Sequence, residues 1–168
     1  SGRQAAPKPV AATQPSLPNF PFKLTNKFEA KAQKAMSSPQ DWQTFLKLVV
    51  ELLTVVDRSI AAANLDFSKE FRKICAEIAG DYPLMNPGAG VFSYSKGRIS
   101  MKKQMNAKMF ISGIAEALRR ILLKLSRSRK YSEIYYLTSQ RLQILIGKRA
   151  AMYEKFGVSK EVKRIVSP

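Results

Sequence analysis

Residues 92–110 read FSYSKGRISMKKQMNAKMF. This stretch decides the fold, because the helical periodicity on both sides of it stops here. Phe92 and Tyr94 precede Lys96-Gly97, Ile99 and Met101 follow it, and each apolar residue is separated from the next by a polar one. Period two marks a half-buried strand pair. If Lys96-Gly97 forms a two-residue loop, Tyr94 faces Ile99 and Phe92 faces Met101. Glycine supplies the positive φ that such a loop requires, although Asn-Gly is the stronger signal. The reading is a β-hairpin over about 91–102, with these four residues as its core face.

Working outward, the flanks are helical. Ser38-Pro39-Gln40-Asp41 combines a capping serine, proline at the first helical position and a carboxylate in the first turn. Trp42, Phe45, Leu46, Val49, Leu52, Leu53, Val56 and Ile60 then recur at three-and-four spacing, which predicts one long helix from Trp42 through Ala63. Phe71, Ile74, Cys75 and Ile78 predict a shorter helix, with Gly80 as its stop. Residues 81–90, DYPLMNPGAG, are turn chemistry. After the hairpin, Asn106 is positioned to cap a helix whose inner face is Phe110, Ile111, Ile114, Leu118, Ile121, Leu122 and Leu125. SRSRKYS (126–132) interrupts it. A final long helix is expected from about Ser132 to Phe156, with Ile134, Leu142, Leu145, Met152 and Phe156 inward and Gly157 as its stop. SKEVKRIV (159–166) adds one turn.

Residues 1–21 hold five prolines and almost nothing to pack. Such a segment cannot offset its own ordering entropy and reads as a flexible linker or tail. Asn26 and Glu29 fit the start of a short helix over 27–36. The expected fold is mainly α, a single helical domain over 22–168. It is a bundle of four to five helices with one inserted hairpin.

The chain of 168 residues carries a net charge of +17, and the charge is unevenly placed. Residues 21–90 hold nine basic and eight acidic residues, whereas residues 91–168 hold eighteen basic and four acidic. Unopposed like charge destabilises a compact state, so selection for an anionic partner is the simplest reason to tolerate it. The candidate nucleic-acid-binding residues are Lys96, Arg98, Lys102 and Lys103 on the hairpin rim, and Lys108, Arg119, Arg120 and Lys124 off the apolar face of the next helix. Arg127, Arg129 and Lys130 in the loop, and Arg141, Lys148 and Arg149 beyond it, complete the set. Contacts of this kind are mainly to phosphates and weakly sequence-specific; DNA and RNA are not distinguished. Ser126, Ser128 and Ser132 offer further phosphate donors, and an exposed member of Tyr131, Tyr135 and Tyr136 would offer a stacking surface.

Enzymatic readings are poor. There is no histidine, which removes imidazole chemistry, and with a single cysteine the usual zinc spacings are absent as well. The single cysteine, Cys75, lies on an apolar helix face and reads as a buried structural thiol in a reducing compartment. No phosphate-cradling glycine loop occurs, and no cofactor or metal is expected. No transmembrane run or signal-peptide core is visible. The rival reading is a protein-interaction or assembly module that docks an acidic or amphipathic-helical partner, since Val50, Val55 and Leu123 lie off the main stripes. An anionic membrane surface ranks third.

Overall fold

The computed structural model describes Met36 and residues 38–167. The tail expected over 1–21 and the helix expected over 27–36 lie outside the described residues, apart from buried Met36.

Helix α1 spans Pro39–Ala61. Ser38 caps it as its sequence requires: its hydroxyl accepts from the Asp41 amide at 3.1 Å and donates to the Asp41 carboxylate at 2.8 Å. Its predicted stripe is buried with one exchange. Leu46 is only partly buried, and Leu48 enters the core instead. Helix α2 (Phe67–Glu77) starts at Asp66, whose carboxylate accepts from the Lys69 amide. It buries Phe67, Phe71, Ile74 and Cys75. The expected stop at Gly80 is not where the helix ends. The chain turns at Ile78, whose carbonyl accepts from both Asp81 and Tyr82, and Gly80 does not take a positive φ.

The hairpin forms in the expected register. Strands β1 (Phe92–Ser95) and β2 (Arg98–Met101) pair antiparallel with Phe92 opposite Met101 and Tyr94 opposite Ile99. Phe92 and Tyr94 are buried, while Ile99 and Met101 pack partly buried against the core. The rings lock the insertion down: Tyr94 lies 5.4 Å from Phe67, Phe92 lies 6.2 Å from Phe71 and 5.0 Å from Phe110. The Tyr94 hydroxyl donates to Asp57 of α1 at 2.8 Å and accepts from the Gly97 amide at 3.0 Å.

Helix α3 (Ala107–Ser126) begins where Asn106 accepts from the Met109 amide, and its predicted inner face is buried throughout. Gly113 allows the 81–90 loop to press onto this helix. A Cβ there would lie 2.8 Å from Met85 Cγ, which explains a residue that otherwise weakens a helix interior. The last long helix is not continuous. It divides at Arg149 (φ −103°, ψ 12°) into α4 (Ser132–Lys148) and α5 (Ala150–Lys155). Arg149 is held by two hydrogen bonds to Glu51 of α1, and the neighbouring Gly147 lowers the cost of a bend. The bend keeps both halves on the core, with Leu142 and Ile146 buried before it and Tyr153 and Phe156 after it. Gly157 (φ +69°) ends α5 as expected, and Val158 N–H closes back on the Tyr153 carbonyl at 3.0 Å. Helix α6 (Ser159–Lys163) and a single 3₁₀ turn follow. Val158, Val162 and Ile165 are fully buried, and this segment packs along α3. The C-terminal segment is thus part of the core, beyond the one added turn that the sequence suggests.

Helices α1 to α4 pack as a bundle, each against its neighbours, with the hairpin inserted between α2 and α3. Among the described residues no helix is long and apolar enough to cross a membrane.

Candidate nucleic-acid interface

Lys96 sits at the tip of the hairpin with φ +46°, followed by Gly97 at +83°. Positive φ at both loop positions is the two-residue turn that matches strand twist, and it favours Asn or Gly at the first. Lys96 and Asn64 are the non-glycine residues with positive φ among those described. Lys96, Arg98, Lys102 and Lys103 are all exposed, and none has a carboxylate partner among the described residues.

The charges on the helices are placed differently. Glu116, on the buried side of α3, accepts from Arg119 at 3.1 and 3.0 Å, from Arg120 at 2.7 Å and from Arg164 at 3.4 Å. Burial pushes the Glu116 carboxyl up, but the hydrogen bonds and charges of Arg119 and Arg120 outweigh it and hold the group below its ordinary range. Lys108 pairs with buried Glu161 at 3.3 Å, Lys124 approaches Glu77 at 4.0 Å, and Arg149 is clamped to Glu51. Arg141 donates to Ser59 of α1 at 3.3 Å. Lys108, Lys124, Arg149 and Arg164 tie elements together, Arg119 and Arg120 are paired within α3, and the positive charge of these six is partly spent inside the molecule. Arg141 bonds only a neutral hydroxyl and keeps its charge. Lys148 is exposed on α4.

The loop between α3 and α4 forms the second open cluster. Arg127 caps α3, and Arg129 and Lys130 lie in a 3₁₀ turn (Arg129–Tyr131) before α4; all three are exposed without a carboxylate partner among the described residues. Lys130 Nζ lies 5.3 Å from the Tyr131 ring centre. Of the interleaved serines, Ser126 and Ser132 already donate to the Leu123 and Arg129 carbonyls. Of the three tyrosines, Tyr136 is the open one, at 71% exposure, with Tyr135 edge-on to it at 5.5 Å. Two helical turns further, Ile144 is 65% exposed. Sequence periodicity misses Ile144 because α4 carries apolar residues on more than one side.

The hairpin and loop clusters are held apart by α3. Phe92 packs on Phe110 in its first turn and Arg127 caps its last, a separation of roughly 25 Å along the axis. Cys75 is buried, and burial pushes its thiol up to about 12, which makes it a poor nucleophile. Comparison with known protein families, curated proteins and solved structures finds no match to this chain.

Proposed function

We propose that this chain is a nucleic-acid-binding domain without chemistry of its own, gripping phosphates at two cationic edges, the hairpin rim and the 127–130 loop. The observation that carries the reading is Lys96, a lysine kept at a left-handed turn position where Asn or Gly would be easier. A residue that breaks a local preference at an exposed tip needs a gain elsewhere, and contact with an anion supplies one. Six further cations, Arg98, Lys102, Lys103, Arg127, Arg129 and Lys130, stand open beside it or at the far end of α3. Tyr136 next to the loop provides a face on which an unpaired base can stack. A single unpaired cysteine fits work in a reducing compartment.

The test compares ligands longer and shorter than the gap. A duplex of about twenty base pairs bridges the two clusters, whereas a five-base-pair stem-loop, roughly 17 Å, does not. Neutralising either cluster with Gln is expected to weaken binding to the long duplex to a similar degree per charge. The stem-loop is expected to respond to one set of substitutions only. Equal losses on both ligands would refute a bridging surface.

A second reading is favoured by Ile144. With Tyr136 it gives α4 an exposed apolar side suited to an amphipathic helix of a partner protein.

A further inference from the structure

The hairpin has a free edge, and its pairing fixes what that edge presents. Lys102 N–H donates to the Val91 carbonyl at 2.9 Å, and Ser93 faces Ser100 while Ser95 faces Arg98. Hydrogen-bonded pairs alternate along an antiparallel ladder, so Ser93 and Ser95 turn their backbone groups toward β2. Phe92 and Tyr94 turn theirs the other way, off the outer edge of β1. No protein group among the described residues accepts from or donates to those backbone groups.

Strand β2 lies against α1, and the outer edge of β1 opens onto a cleft of about 390 Å³ shared with α2. Ser68 and Arg72 line it from α2 and Lys102 from the hairpin, over a floor that includes Phe71. The Lys102 ammonium stands at the mouth, 3.6 Å from where a Cβ on Gly90 would be. Among the described residues no acidic side chain lines the cleft, and neither Arg72 nor Lys102 has a carboxylate partner.

We infer that this cleft binds an extended acidic peptide, which adds to β1 as a third strand. A groove between a helix and an unpaired strand edge supplies main-chain hydrogen bonds for affinity and flanking side chains for selection. Here the flanking groups are cationic, so acidic side chains are selected. The occupant is a peptide because the edge presents carbonyls as well as amides. The Phe92 and Tyr94 carbonyls repel a phosphodiester but accept from peptide N–H groups. The inference does not rest on the nucleic-acid reading.

The test is ¹⁵N NMR of the whole chain with a capped hexapeptide alternating threonine and glutamate. Binding is expected to slow amide exchange at Phe92 and Tyr94 by about ten-fold or more, while Ser93 and Ser95, already paired, change little. A control with proline for each threonine keeps the charge, removes alternate N–H donors, and is expected not to protect those amides. Arg72→Glu is expected to weaken the peptide by about ten-fold or more, and Arg72→Gln by less. Three results would overturn the inference: no protection at Phe92 and Tyr94 at saturating peptide, equal protection by the proline control, or the same pattern produced by a thymidine tetranucleotide.

Discussion

Lys96 shows how a single residue can carry both a structural cost and a functional reading. An L-residue in the left-handed region costs on the order of 1 kcal/mol relative to its ordinary conformation, and Asn carries less of that cost. Lys96→Asn is therefore expected to stabilise the domain by roughly 0.5–1 kcal/mol, read from the denaturant midpoint, while weakening duplex binding. A variant that gains stability and loses no affinity would remove Lys96 from the interface. The position was legible in the sequence as a loop residue, since Tyr94 and Ile99 define the register around it. Its exposure beside an aromatic anchor was not, because the Tyr94–Asp57 bond joins residues 37 apart.

Among the elements, Glu116 joins α3 to the C-terminal turn through Arg164. Its carboxyl is held low in the folded protein, so the stabilisation it provides is present above the ordinary carboxylate range and is lost as pH falls through the depressed folded value. Glu116→Gln is expected to lower stability at pH 7 by about 1.5–3 kcal/mol. The gap to wild type should close on acidification below about pH 4, as melting temperature against pH would show. A gap independent of pH would contradict an ionic role for the node. Glu116 stands three and four residues before Arg119 and Arg120, a spacing that allows this pairing, although both arginines read from the sequence as open to a ligand. Local patterns gave the capping residues Ser38 and Asn106, the hairpin register and the inner face of α3. The bend at Arg149 was not visible, because it depends on Glu51, 98 residues away. The end of α2 at Ile78 was missed for a similar reason: the loop after it folds onto α3 and sets where the chain turns.

For the whole molecule, the excess of eighteen basic over four acidic residues beyond residue 90 was plain from the sequence, but its availability was not. Much of the helical charge is paired with carboxylates, several of them from the first half of the chain: Glu51 with Arg149, Glu77 with Lys124, Asp41 with Lys155. Of the basic residues beyond residue 90 that have no carboxylate partner among the described residues, seven lie at the hairpin rim and the 127–130 loop, and Arg141, Lys148, Lys160 and Lys163 lie elsewhere. The salt dependence of duplex binding tests this account most directly, because the slope of log affinity against log salt counts the phosphates neutralised. Seven open cations on a duplex long enough to reach both clusters predict a slope approaching −6, at about −0.9 per phosphate. Removing the loop cluster should reduce it by nearly half. A slope no steeper than about −1, or no measurable binding at low salt, would contradict the proposed function.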